Sequence, residues 1–178
     1  MILIRHTQPD VAADVCYGRT DLELAASFDS DARAVVASVP DADVLVTSPL
    51  KRCRQLAARI GVSLGLDFHI DPRIQEMDFG RWEGVPWSDI GKDELDKWAN
   101  DFLHARPHGG ESVAMLRERV LQAIGEYRGT NQRYIVITHA GVIKVALADR
   151  DTSENWNAEV TFGEIVHLTW RPNPGAEK

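Results

Sequence analysis

The stretch Met1-Ile2-Leu3-Ile4-Arg5-His6-Thr7 is a short apolar strand followed directly by an arginine and a histidine. The stretch Tyr134-Ile135-Val136-Ile137-Thr138-His139-Ala140-Gly141 repeats this design much later in the chain. Continuous apolar runs of this kind are typical of strands that helices cover on both faces. In open α/β sheets, ligands bind outside the carboxyl ends of the strands. We therefore expect His6 and His139 to face each other across one pocket.

Composition places the chain among ordinary globular proteins. Its 178 residues are 44% hydrophobic and 26% charged, and the formal net charge is -7. An acidic chain is a poor candidate for nucleic-acid binding, although a locally positive pocket can still hold a small anion. No apolar run is long enough to span a membrane, and Ile2 to Ile4 is too short for a secretory signal. We expect a cytoplasmic protein whose two cysteines, Cys16 and Cys53, are buried thiols.

Strands and helices alternate along the sequence, which predicts a three-layer α/β/α sandwich with a mostly parallel central sheet. Apolar runs predict strands at residues 2–4, 44–46, 134–138 and 165–170, with a weaker candidate at 68–71. Helical spacing predicts helices over 31–39, from Ser48-Pro49 to Gly61, and from near Ser112 to near Gly129. We expect a single domain over residues 1–171 and a disordered tail over 172–178.

The middle of the chain, residues 76–110, is less regular and contains Trp82, Trp87 and Trp98. Such a stretch could form a cap or loop beside the pocket, or the tryptophans could fill a secondary core.

The residues at the predicted strand ends suit a phosphate. The first strand delivers Arg5 and His6, the helix after the second strand places Arg52 in its opening turn, and the fourth delivers His139 at a helix start. Helix starts bind anions through unpaired N–H groups and the macrodipole. Arginine forks match phosphate oxygens bidentately. The pattern predicts a phosphate pocket formed by Arg5, Arg52 and the two histidines.

A neutral imidazole is a good nucleophile toward phosphorus, so His6 could form a covalent phospho-enzyme. Neighbouring arginines should hold His6 neutral, and His139 could donate to the phosphoryl oxygens in the transition state. The arginines supply the electrostatic stabilisation, so we expect neither a metal nor a cofactor. A sugar alkoxide is a poor leaving group and needs a proton donor. Glu76 is the preferred candidate, with Asp78 and Glu83 as alternatives.

Five motifs in this order resemble the histidine phosphatase superfamily, which includes the cofactor-dependent phosphoglycerate mutases. They are Arg5-His6-Thr7, Ser48-Pro49-Leu50-Lys51-Arg52, Glu76 with Trp82-Glu83-Gly84, Gly109-Gly110-Glu111-Ser112 and Thr138-His139-Ala140-Gly141. The resemblance implies a phosphoglycerate mutase-like fold and a metal-independent phosphatase for small phosphorylated substrates. It implies His6 as the phosphorylated nucleophile, Arg5, Arg52 and His139 as phosphate ligands, and Glu76 as the proton donor.

More narrowly, residues 5–9, 16–21 and 77–84 resemble the α-ribazole phosphatases, which remove a 5′-phosphate from an intermediate of cobalamin assembly. One departure concerns an asparagine that contacts the phosphate in many relatives, since no asparagine precedes Asn100. Thr7, Gln8 or backbone amides near Gly18 could supply that contact. Tyr17 and Trp82 could stack on an aromatic base such as benzimidazole, or could simply pack in the protein.

Other functions remain open at this stage. The same mechanism could serve a broad-specificity phosphatase for sugar phosphates or small esters, or a phosphoglycerate mutase, although the short chain favours hydrolysis. A metal-dependent hydrolase with the histidines as ligands and a non-catalytic phosphate-binding module are the alternatives from other classes.

Overall fold

The computed structural model describes residues 1–148, 156 and 158–168. The strands are β1 (Ile2–Arg5), β2 (Val44–Thr47), β3 (Phe68–Ile70), β4 (Tyr134–Thr138) and β5 (Ile165–His167). The α-helices are α1 (Phe28–Ser38), α2 (Lys51–Leu64), α3 (Lys92–Asn100), α4 (Val113–Arg128) and α5 (Ala140–Leu147). Short 3₁₀ helices cover Pro72–Ile74, Gly80–Trp82 and Trp87–Asp89. No helix in these ranges is both long and apolar enough to cross a membrane.

The strands form one sheet in the order β3-β2-β4-β1-β5. All neighbouring pairs are parallel except β1 and β5, which are antiparallel. Strand β1 lies beside β4 with Arg5 opposite Thr138, so the residues that follow the two strands emerge at the same edge of the sheet. The mixed α/β sandwich with a mostly parallel sheet, expected from the sequence, is confirmed.

Alternation along the strands divides the core into two layers. Leu3 faces a cluster that includes buried residues of α4 and α5, whereas Ile4 faces a cluster that includes buried residues of α1 and α2. Successive side chains of a strand point to opposite faces, so a sheet that is apolar on both faces buries one helical layer against each. The sheet is therefore a rigid support for residues at its carboxyl edge.

The second helix differs from the sequence expectation at both ends. It begins at Lys51 rather than Pro49, and it continues past Gly61 to Leu64, where Gly65 adopts a positive φ of 66° and ends it. A Cβ at Gly61 would lie 2.6 Å from the carbonyl oxygen of Leu66. Gly61 therefore permits a close approach of the chain after the helix and does not stop the helix.

The other boundaries agree more closely. Helix α4 begins after Ser112, whose hydroxyl accepts a 3.2 Å hydrogen bond from the Met115 amide, as expected for a cap. Helix α1 begins at Phe28, before the expected Asp31. Residues 169–170 of the expected last strand and the expected disordered tail, 172–178, lie outside the described residues.

Trp82 belongs to a secondary core. Its side chain is 3% exposed, its ring lies 4.8 Å from that of His108, and its Nε1 donates to Glu94 Oε2 at 2.7 Å. An indole enclosed in this way has no face free for a ligand. Of the two alternatives for Trp82, its burial favours packing in the protein. Cys16 and Cys53 are buried free thiols, as expected.

Candidate active site

His6 and His139 lie side by side at the carboxyl edge of the sheet. Their ring centroids are 5.1 Å apart in an edge-to-face arrangement, and the residues are 2% and 0% exposed. They are neighbours because each follows one of two adjacent parallel strands, β1 and β4. The structure thus brings together the two histidines that the sequence predicts to share a pocket.

The partners of His6 define its tautomer. Its Nδ1 lies 2.7 Å from the carbonyl oxygen of Thr7, and a carbonyl can only accept, so Nδ1 carries the proton. Its Nε2 accepts a 3.2 Å hydrogen bond from Nε of Arg52. The lone pair on Nε2 therefore faces the cationic part of the site, where an anion would bind.

Arg52 is fully buried and fixed by two backbone carbonyls. Its Nη1 donates to Thr20 at 2.8 Å and its Nη2 donates to Gly18 at 2.7 Å, while Nη2 also lies 3.4 Å from Nδ1 of His139. A Cβ at Gly18 would lie 1.9 Å from the carbonyl oxygen of Met77, so this position requires glycine. Gly18 contributes to the site through its carbonyl oxygen, which accepts the hydrogen bond from Arg52.

His139 has two partners that the sequence analysis did not anticipate. Its Nε2 lies 2.7 Å from Oγ of Ser48 and 3.5 Å from Sγ of Cys53. Ser48 follows strand β2 at the same sheet edge, and that position is the signal that could have identified it. The hydroxyl orients the His139 ring and also accepts a 3.4 Å hydrogen bond from the amide of Leu50, the N-cap residue of the following helix.

Both imidazoles are held neutral. The pKa of His6 is well below its usual value because of burial and, secondarily, the charge of Arg52. The pKa of His139 is likewise lowered, mainly by burial and then by His6 and Arg52. The expected neutrality of His6 is confirmed, although desolvation contributes more than the arginines that the sequence analysis emphasised.

Arg5 lies at the rim of the same site. Its guanidinium stacks 3.8 Å from the ring centroid of Phe162, and its Nη1 donates to the carbonyl of Val160 at 2.6 Å. The Phe162 ring also lies 5.7 Å from that of His6. Tyr17 is close to both arginines, with Arg52 Cζ 5.4 Å from its ring centroid. Burial raises the pKa of Tyr17, and the nearby arginines oppose that shift.

The three carboxylates proposed as proton donors occupy different settings. Glu76 accepts from the amide of Gly141 at 3.1 Å, at the start of the helix that follows His139. Glu83 accepts from the amides of Arg19 and Thr20, at 2.9 and 2.7 Å. Burial acts to raise the pKa of Glu83, but these hydrogen bonds outweigh it and lower the pKa. Glu83 is therefore an ionised carboxylate that is hydrogen-bonded to the loop containing Arg19 and Thr20.

Asp78 is also engaged away from the histidines. It accepts from the amide of Gly80 at 2.8 Å and lies 3.8 Å from the guanidinium of Arg19. Of the three candidates, Glu76 is the one hydrogen-bonded to the segment that carries His139.

Arg119 and Glu111 hold the Glu76 segment in place. Arg119 donates to the carbonyls of Arg73, Gln75 and Glu76, at 2.7, 2.6 and 3.0 Å. Glu111 accepts two further hydrogen bonds from Arg119, both at 2.7 Å. The buried carboxylate of Glu111 thus pairs with Arg119. The position of Arg119 next to the apolar face of helix α4 is the sequence feature that could have indicated its role.

The remaining predicted contacts have distinct placements. Thr7 is buried, and its hydroxyl has no hydrogen-bond partner within the part of the chain that the structure describes. Gln8 is exposed. Among those same residues, no three His, Cys, Asp or Glu side chains cluster in a way that could hold a metal ion.

Comparison with known proteins identifies the family. The profile of the histidine phosphatase superfamily (branch 1) matches residues 1–176. The chain therefore belongs to the histidine phosphatase superfamily, and it is a phosphatase of that family.

Individual relatives differ in their named substrates. Phosphoserine phosphatase 1 of Hydrogenobacter thermophilus is 27% identical, over 97% of this chain and 88% of that protein. The adenosylcobalamin/α-ribazole phosphatase of Escherichia coli is 29% identical, over 60% of this chain and 55% of that protein. The structure of a phosphoglycerate mutase from Thermus thermophilus superposes with a TM-score of 0.71 and 26% identity, over 92% of this chain and 89% of that one. The fold is phosphoglycerate mutase-like.

Proposed function

We propose that this chain hydrolyses phosphomonoesters through a phosphohistidine on His6, without a metal or cofactor. The observation that carries the proposal is the pair of buried, neutral imidazoles 5.1 Å apart, with Arg52 in hydrogen-bond contact with both rings. A protein that only binds phosphate would not require a neutral histidine nucleophile next to the phosphate-binding arginine.

In the first step, Arg5 and Arg52 bind the phosphoryl oxygens together with the amides at the start of helix α5. Nε2 of His6 attacks phosphorus, the bond between phosphorus and the ester oxygen breaks, and Glu76 gives its proton to the departing oxygen. The products of this step are the free alcohol and phospho-His6. A bound phosphate dianion favours the protonated form of His139, which then donates an N–H to the phosphoryl oxygens as negative charge gathers on them.

In the second step, water attacks the phosphohistidine. Glu76, now a carboxylate, takes a proton from that water, and the bond between phosphorus and Nε2 breaks. Inorganic phosphate leaves, and both His6 and Glu76 return to their starting protonation states. The same carboxyl group therefore acts as acid and then as base, as microscopic reversibility of the two half-reactions favours.

For the substrate, we propose α-ribazole 5′-phosphate. Support comes from the resemblance of residues 5–9, 16–21 and 77–84 to the α-ribazole phosphatases and from the Escherichia coli relative. The second candidate is a broader phosphatase for small esters or sugar phosphates, which the relative named phosphoserine phosphatase favours. A mutase is the third, because the Thermus thermophilus structure carries that name.

A steady-state comparison tests the substrate. Release of inorganic phosphate is measured without added metal from α-ribazole 5′-phosphate, phosphoserine, 3-phosphoglycerate and ribose 5-phosphate. The highest kcat/KM for α-ribazole 5′-phosphate supports the first candidate. A preference for phosphoserine, or comparable values for all four, transfers support to the broader phosphatase. Conversion of 3-phosphoglycerate to 2-phosphoglycerate without phosphate release identifies a mutase.

A further inference from the structure

A cavity of about 240 Å³ lies beside Glu76. It lies between the starts of helices α4 and α5 and the end of helix α3. Its lining includes Glu76, Trp98, Phe102, Gly141, Lys144 and Trp156. Most of this lining is apolar, and Phe79, Trp98 and Phe102 are only partly buried, so aromatic surface faces an open space.

Two of the residues that line this cavity, Trp98 and Trp156, carry indole N–H donors. Nε1 of Trp98 and Nε1 of Trp156 are both buried and have no hydrogen-bond partner among the residues that the structure describes. Trp156 as a whole is 8% exposed. A buried donor without a partner is costly, and native structures seldom keep one unless water or a ligand serves it. These two N–H groups point to a ligand that brings hydrogen-bond acceptors.

Glu76 connects this cavity to the histidines. Glu76 lines the cavity, and its carboxylate accepts from the amide of Gly141, two residues after His139. A group that protonates a leaving oxygen has to lie between the phosphoryl group and the rest of the leaving alcohol. Because Glu76 and Gly141 form part of its wall, the cavity is the candidate space for the departing part of the substrate.

We propose that this cavity binds an aromatic heterocycle carried by the leaving group, with the ring packed against Trp98 and Phe102 and with ring acceptors served by the indole N–H groups. The proposal rests on the proposed function, since it takes Glu76 as the proton donor. Pockets that enclose a whole drug-sized ligand measure roughly 300–1,000 Å³, so this cavity suits one ring system. In this proposal the aromatic contact is made by Trp98 instead of Trp82.

The chemistry of the lining disfavours other occupants. A sugar would bring many hydroxyl groups to a mostly apolar wall, and burial of unpaired hydroxyls is unfavourable. Lys144, also in the lining, offers one cation that could bind a carboxylate. A carboxylate bound there is the competing outcome for the experiment below.

The test uses binding, so that it does not depend on turnover. Calorimetry measures the affinity of the dephosphorylated nucleoside α-ribazole and of ribose for the full chain and for Trp98→Leu. Trp87→Leu is the matched control, because Trp87 is half-buried in the neighbouring aromatic cluster but does not line the cavity. We expect α-ribazole to bind at least about tenfold more tightly than ribose, Trp98→Leu to remove that advantage, and Trp87→Leu to retain it.

A kinetic ratio covers the case in which Trp98→Leu fails to fold. In Phe102→Leu, the ratio of kcat/KM for α-ribazole 5′-phosphate to that for ribose 5-phosphate should fall about tenfold. Equal affinity for α-ribazole and ribose overturns the inference, even if phosphatase activity is normal. If α-ribazole binds in a way that depends on Trp98 but no phosphomonoester is hydrolysed, the ring-binding inference is supported and the proposed function is contradicted. If the chain prefers phosphoserine and Lys144→Met abolishes that preference, the cavity binds a carboxylate and the aromatic proposal is contradicted.

Discussion

Arg119 donates a 3.0 Å hydrogen bond to the backbone carbonyl of Glu76, and the same guanidinium forms a bidentate pair with Glu111. The arginine also donates to the carbonyls of Gln75 and Arg73, so it fixes the backbone just before the proposed acid. Arg119 does not touch the expected phosphate site. Its hydrogen bonds act on the position of Glu76, and its positive charge also contributes to the lowered pKa of His139.

Arg119→Lys tests this positioning role. Lysine keeps the charge but loses the planar fork, so it cannot serve three carbonyls and a carboxylate together. We expect kcat for alkyl phosphates to fall about tenfold, with a smaller loss on p-nitrophenyl phosphate, whose leaving group needs little protonation. Arg59→Lys is the control, because Arg59 pairs with Asp29 on the surface. Equal losses on both ester types would mean that Arg119 serves only the stability of the fold.

Glu76→Gln removes the transferable proton and keeps the shape of the side chain. General acid catalysis contributes typically 10²–10⁴-fold, so kcat for alkyl phosphates should fall by about that factor. Hydrolysis of p-nitrophenyl phosphate should fall much less. Glu83→Gln and Asp78→Asn provide the comparison, and we expect neither to change the preference between the two ester types. If one of them does and Glu76→Gln does not, the acid is the other carboxylate.

Arg52→Ala removes the guanidinium that contacts both histidines. Charge-assisted hydrogen bonds are worth about 1.5–3 kcal/mol, so affinity for inorganic phosphate or the rate should fall roughly ten- to a hundredfold. Because Arg52 is fully buried, thermal unfolding of the variant is measured alongside, and Arg52→Lys serves as a less disruptive version. Unchanged phosphate inhibition in a folded variant would place the phosphate elsewhere.

Three buried histidines with lowered pKa values, His6, His108 and His139, should also make the fold sensitive to acid. Their pKa values are lowered in the folded chain, so the unfolded state, with a histidine pKa of about 6.5, binds more protons below that pH. The free energy of unfolding should therefore fall as pH drops below about 6.5, by up to about 1.4 kcal/mol per pH unit for each histidine. Chemical denaturation between neutral and mildly acidic pH measures this slope.

His139→Gln should reduce that pH dependence, since it removes one of the three buried histidines with lowered pKa values. His104→Gln should leave it unchanged, because His104 is exposed. A slope that is identical in all three proteins would assign the acid sensitivity to other groups.

The order of elements could be read from the sequence because the decisive signals are local. The apolar runs before His6 and His139 mark β1 and β4, and Ser112 marks the start of helix α4. Helix α2 was less predictable, since Gly61 serves a contact with Leu66 that no local pattern reveals.

Site residues were predictable where the functional side chain comes soon after the end of a strand, and they were less predictable elsewhere. His6, Arg52 and His139 were identifiable because parallel strands deliver their last residues to one edge. The contacts of Ser48 with His139 and of Arg119 with the Glu76 segment depend on tertiary packing, which spacing along the chain does not encode. Trp82 shows the converse, because an aromatic residue beside a motif turned out to fill a core.

The most direct test of the central claim is to trap the phosphoryl group on the enzyme. The chain is mixed with ³²P-labelled substrate, quenched in base and digested, and the labelled peptide is identified. We expect an acid-labile, base-stable label on the peptide that contains His6, and no label in His6→Asn. A label on another residue, or full activity in His6→Asn, would contradict the account.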